Sequence, residues 1–138
     1  MQEEIEIIWS DKFVSGNEEI DCYHKKIIDG VVELYKMLDD SGNYKEEIPE
    51  LTRKIEESMY KHMDIEIDYL KRFNFSEWVA HEANHKYYKN RMEFYKNYSV
   101  SHVIRAVMTG EVSKEYMRKH FFQFDVKDIH LINKKLKR

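Results

Sequence analysis

The sequence is poor in the residues that break helices or staple chains. One proline and four glycines punctuate 138 residues, too few for the turn-rich connections of a sandwich or barrel of strands. A single cysteine, Cys22, excludes an internal disulfide framework and fits a reducing cytosol. No apolar run approaches the ~20 residues that a membrane-crossing helix needs, because Lys, Glu or His interrupts every hydrophobic stretch. The opening MQEEIEIIWSDKF is acidic and lacks the apolar centre of a secretory signal, so a cytoplasmic location is expected. An excess of one charge is also missing: the net charge is −3, with charged residues at 36% and both signs mixed along the chain. Nucleic acid and membrane surfaces are therefore not expected partners, and the basic end NKKLKR reads as cations closing a helix.

What is present is helical periodicity. Apolar residues recur at intervals of three and four rather than two, which predicts an all-α fold. Breaks are expected at VSGN (14–17), DDSGNYKEEIP (39–49), NFS (74–76) and VMTGEVS (107–113). They leave one helix over about Glu18–Asp39 and a second over about Ile48–Phe73, with Pro49 in its first turn. A third follows Ser76 as N-cap, and YSVSHVIRAVMTG either extends it to Gly110 or forms a separate short turn before a fourth, which covers about Val112–Lys135. Four such helices on short links fold most simply as an up-down-up-down four-helix bundle. Residues 1–138 then form a single domain, with 18–138 as the bundle and 1–17 as an arm whose Ile7, Ile8, Trp9 and Phe13 pack across it.

HEANH (81–85) puts two imidazoles one turn apart on one helix face, able to grip one metal ion. Alone the pair says little, since some such spacing arises by chance in roughly a third of sequences with this histidine content. Every predicted helix, however, carries a histidine on its apolar stripe. His24 sits with Ile20, Ile27, Val31, Leu34 and Leu38; His62 with Ile55, Met59, either Tyr69 or Leu70, and Phe73; His81 and His85 with Trp78, Tyr88, Met92 and Tyr95; His120 with Tyr116, Met117, Phe121, Phe124 and Leu131. Glu66 follows His62 by one turn, and Asp125 follows His120 by five residues. A lone inward histidine is usually a hydrogen-bonded core residue. Seven ionisable groups on the inner stripes are another matter, because each would cost several kcal/mol to bury unpaired.

Metal ions would settle that cost by supplying the charge that water otherwise does. Five imidazoles contribute one bond each, two bridging carboxylates two each, and a shared oxide or hydroxide two more. That total falls one short of what two six-coordinate ions need, so one position stays open to a small exogenous molecule. A nitrogen-rich donor set with some carboxylate suits iron, whereas Mg or Ca would want oxygen throughout. His120 and Asp125 differ by about 140° on an ideal α-helix, which predicts a π-type widening or a bend between them. Asp128 is the poorer bridging candidate, since eight residues of rise carry it about 12 Å along the axis.

The set IDCYH, HMDIE, HEANH and HFFQFD resembles hemerythrin, specifically its single-domain bacterial members, over nearly the whole chain from WSDKFVSG onward. The resemblance implies a pair of oxo- or hydroxo-bridged iron ions. His81, His85 and His120 would complete one ion and His24 and His62 would serve the other, with Glu66 and Asp125 bridging. It also implies dioxygen as the partner, bound reversibly for storage, transport or delivery by a non-enzymatic protein, with a monomer expected. Departures from the family pattern are Tyr23 in place of glutamine before the first histidine, Tyr116 in place of tryptophan, Ile67 where a second acid is frequent, and NF in place of Tyr-Pro. None removes a ligand. Ile27, Ile28, Trp78, Phe121 and Phe124 are the expected apolar cover of the centre.

Two other classes remain as alternatives: an oxygen or redox sensing module, disfavoured because no output domain follows the fourth helix, and a di-iron enzyme acting on peroxide or nitric oxide. An oxygenase is disfavoured by five histidines against two carboxylates. Cys22 points away from the His24 stripe and reads as an inert small residue. His102 and His130 fall off the ligand pattern and read as surface histidines. Asp21 reads as a helix N-cap or first-turn charge, with orientation of His24 as the other possibility.

Overall fold

A computed structural model describes residues 14–73, 76–98 and 101–136. All regular structure among them is helical. α1 spans Glu18–Leu38 and a 3₁₀ turn spans Ser41–Asn43; α2 spans Glu47–Arg72, α3 Trp78–Tyr98 and α4 His102–His120. A π-helical segment, Phe121–Val126, joins α4 to α5, Lys127–Leu136. No described helix is long and apolar enough to cross a membrane. The arm expected over residues 1–17 falls mostly outside the described residues, which include only 14–17 of it.

The helix ends follow from local chemistry. The Asn17 side chain accepts from Ile20 N at 3.0 Å and caps α1, whose first turn carries Glu18, Glu19 and Asp21 against the positive end of the helix dipole. Gly16 precedes it at φ +99°, a conformation that favours glycine. α2 starts with Glu47 and Glu50 and ends with Lys71 and Arg72, and Pro49 lies in its first turn. Ser101 caps α4 by accepting from Ile104 N at 3.1 Å.

That cap corrects the expected start of the fourth helix. It begins at His102, not near Val112, and the break expected at 107–113 does not exist. Gly110 lies buried inside α4 as a packing residue: a Cβ there would come within 3.3 Å of the Tyr35 hydroxyl oxygen on α1. The third helix opens at Trp78, with Ser76 and Glu77 in the preceding turn, so it starts one residue later than Ser76 as N-cap implies. Two expected core residues lie at the surface instead, Phe73 at 38% and Leu131 at 39% exposure. Phe73 follows Arg72, the last residue of α2, with its ring 4.7 Å from that of Tyr69, and beyond the π segment Ile129 and Ile132 are buried in place of Leu131.

α1 packs against α2 and α4, α2 against α3, and α3 against α4, with α2 also touching α4 and α5. Two apolar clusters fill the space between them. The larger contains Ile27, Val31, Leu34, Ile55, Met59, Tyr88, Met92, Tyr116 and Phe121, and the smaller contains Ile20, Ile67, Leu70, Ile129 and Ile132. Each fully buried side chain of this size contributes about 1.5–3 kcal/mol. Along α1, His24 falls between Ile20 of the smaller cluster and Ile27 of the larger; along α2, His62 and Glu66 fall between Met59 and Leu70. The polar side chains thus occupy a layer sandwiched by hydrocarbon.

Candidate metal centre

Each side chain of this layer is delivered by its own stretch of helix. His24 comes from α1, His62 and Glu66 from one face of α2, His81 and His85 from one face of α3, His120 from the last residue of α4, and Asp125 from the π segment. Six of the seven are fully buried and His85 is 4% exposed. The widening expected between His120 and Asp125 is present: the Phe121 N–H donates to Tyr116 O, five residues back, and the extra residue per turn swings Asp125 inward.

The seven residues form two groups that share their carboxylates. Ligand-capable atoms of Glu66, His81, His85, His120 and Asp125 lie within 4.8 Å of one another, and so do those of His24, His62, Glu66 and Asp125. All five imidazoles present Nε2 to the middle. Asp125 Oδ1 lies 2.6 Å from His120 Nε2 and 2.9 Å from His81 Nε2, while its Oδ2 lies 2.9 Å from His24 Nε2 and 2.8 Å from His62 Nε2. Glu66 divides the same way: Oε1 contacts His81 Nε2 and lies 3.0 Å from His85 Nε2, and Oε2 lies 3.7 Å from His62 Nε2. Each carboxylate therefore offers one oxygen to each group, the arrangement a bridging ligand needs.

The orientations of two imidazoles are set from behind. His81 Nδ1 donates to Asp128 Oδ2 at 2.8 Å, and His120 Nδ1 donates to Asn84 Oδ1. A proton fixed on Nδ1 leaves the Nε2 lone pair facing inward, as metal ligation requires. Lone pairs of imidazole and carboxylate then meet at close range, an arrangement that a cation between them would stabilise. His62 shows this directly: Nε2 approaches Asp125 within 2.8 Å, yet among the described residues neither that nitrogen nor Glu66 Oε2 makes a hydrogen bond. The donor set fits a metal ion, because buried groups of this kind are otherwise paired.

Electrostatics point the same way. Burial opposes the charge on Glu66 and Asp125, but His62 and His81 for the first, and His120 and His62 for the second, hold both carboxyls below the ordinary range. Burial likewise opposes charge on His81, yet Glu66 and hydrogen bonds to Asp125 and Asp128 outweigh it and lift the imidazole to about 12. His120 is raised by Asp125 against its own burial, whereas burial wins at His85 and lowers it to about 4. Without a metal, a proton on His81 performs the work of the cation.

Aromatic rings seal the layer. Phe121 stacks on His24 with centroids 4.0 Å apart and meets His62 edge-on at 5.7 Å. Phe124 lies parallel to His120 at 5.2 Å. Tyr116 stacks on the other side of His120 at 4.3 Å and meets His62 edge-on at 5.9 Å. Ile27 and Ile28 are fully buried on α1, one turn beyond His24. Trp78 does not join this cover; it packs on the smaller apolar cluster with Lys71 over its ring.

Asp128 and Asn84 are functional candidates that the sequence pattern did not single out in these roles. Asp128 lies too far along the helix to bridge, but that displacement carries it behind His81. Asn84 sits inside HEANH, yet its partner lies on another helix, 36 residues away, with no spacing rule to connect them. Asp21 takes the capping role: its Oδ1 accepts from Ser15 N and Ser15 Oγ, both at 2.7 Å, and stands 3.9 Å from His24 Nδ1. Cys22, His102 and His130 are exposed, away from the centre. Comparison of the chain with protein-family models, with curated proteins and with solved structures finds no match.

Proposed function

We propose that this chain is an up-down-up-down four-helix bundle holding two iron ions, and that it binds dioxygen reversibly. The observation that carries the reading is the division of seven buried side chains into two groups with Glu66 and Asp125 common to both. His81, His85 and His120 would hold one ion and His24 and His62 the other, with Glu66 and Asp125 each offering one oxygen to either group. When bound, the irons supply the electrons and the open coordination position that dioxygen requires.

The chain's own residues do the rest. Asp128 and Asn84 hold His81 and His120 with Nε2 inward, so the donor set is arranged before the metal arrives. Two carboxylates offset much of the cationic charge in a low-dielectric interior, and five neutral imidazoles leave the remainder available to a small ligand. Phe121, Phe124 and the isoleucines of α1 exclude water, which reversible binding needs. The group with fewer imidazoles, His24 and His62, would leave its ion room for a small ligand. The resemblance to hemerythrin supports the same assignment.

The test is direct. Protein purified with ferrous iron is expected to hold two metal ions per chain by elemental analysis. Reduced without air and then exposed to oxygen, it should develop a visible absorption that purging with inert gas removes. A chain that takes up no iron, or a band that bleaches irreversibly with turnover of peroxide or nitric oxide, overturns oxygen carriage.

A further inference from the structure

Tyr116 is a departure from the family pattern whose side chain sits inside the polar layer. Its ring is fully buried and touches imidazoles from both ligand groups: His120 at 4.3 Å, His62 at 5.9 Å and His85 at 6.4 Å between centroids. Among the described residues its hydroxyl has no hydrogen-bond partner, and neither His62 Nδ1 nor Ser113 Oγ, also without a hydrogen bond, takes it. A phenol buried without a partner costs more than the same ring without its oxygen, so phenylalanine would serve better if the role were packing. Phe121, the other ring against His62, has no donor to offer.

We propose that the Tyr116 hydroxyl donates a hydrogen bond to the small ligand held on the His24 and His62 side of the centre. The inference rests on the two-ion reading and deepens it by adding a positioning residue that discriminates in favour of hydrogen-bond-accepting ligands. A donor fixed in a dry site gains on its acceptor most of what water would otherwise provide, and the gain is largest toward a charged acceptor. The ligand in turn satisfies the hydroxyl that the protein leaves open.

The experiment uses the full chain, azide as the probe and the variant Tyr116→Phe, which removes one oxygen and keeps the ring. The variant should still bind two irons per chain, while azide affinity of the oxidised protein falls about tenfold, as expected for losing a hydrogen bond to an anion. The azide stretching frequency should shift between H₂O and D₂O in the parent and not in the variant. Tyr88→Phe, which alters the neighbouring ring 5.0 Å from Tyr116, should leave both readouts unchanged. In the metal-free state Tyr116→Phe should melt no lower than the parent. Unchanged azide affinity with both irons bound, an equal loss in Tyr88→Phe, or a lower melting temperature of the metal-free variant overturns the proposal while leaving the two-ion reading intact. A parent chain that binds no iron sinks both.

Discussion

At the scale of single residues, the centre depends on atoms one bond removed from it. Asp128 touches no proposed metal position, yet it decides which nitrogen of His81 carries the proton. Loss of a partner of this kind costs metal affinity about 10–100-fold. Asp128→Ala is accordingly expected to load two ions at saturation and to lose them 10–100-fold more readily to a competing chromophoric chelator; undiminished affinity would remove Asp128 from this role. Asp21 illustrates the opposite case. It is one turn from His24, but its carboxylate is engaged by Ser15 and Gly16, so its contribution is to the start of α1.

At the scale of elements, the π segment is the feature on which convergence turns. Five residues separate His120 from Asp125, and a regular α-helix would aim the carboxylate about 140° away from the imidazole. The six residues Phe121–Val126 absorb that difference. Deleting one residue between 121 and 124 should restore an α-helical path and keep the far-ultraviolet helical signal, with the imidazole and the carboxylate now four residues apart, about 40° from each other on one face. Metal content should then stay at two ions per chain; a deletion variant that loses metal would show that bringing the two side chains to one face is not all that the segment does. The glycine in α4 is the complementary lesson. Gly110 lets α1 and α4 approach closely at Tyr35, which is why a residue that reads as a helix end sits mid-helix.

At the scale of the whole molecule, the buried charges link folding to protons and metal. His81 is raised to about 12 from 6.5, so the metal-free fold gains stability that is complete below about pH 6.5 and is lost as the pH climbs toward 12. His85 is lowered to about 4, so it has the opposite sign: the unfolded chain binds its proton first, and stability falls as the pH drops from 6.5 toward 4. Glu66 and Asp125, both depressed, add their loss at lower pH still. The metal-free protein should therefore melt highest near pH 6.5 and lower on either side. Loading metal should raise the melting temperature and flatten the alkaline limb, because the ion replaces the proton at His81. It should also steepen the acid limb, where protons compete for the imidazoles. A melting curve with the same pH dependence in both states would contradict a cation at this position.

The sequence by itself determined the helical class, since a period of three to four in apolar residues with one proline leaves no other economical way to bury them. It also determined which seven side chains would face inward, because each shares a stripe with core residues on its own helix, and it called for either a widened turn or a bend between His120 and Asp125. Only the tertiary structure decided what meets across helices. The pairing of His120 with Asn84 and of His81 with Asp128, the burial of the Tyr116 hydroxyl, the placement of Gly110 against Tyr35 and the exposure of Phe73 and Leu131 all depend on how neighbouring helices are rotated and how far they slide. Periodicity fixes direction about one helix axis and carries no information about the axis beside it.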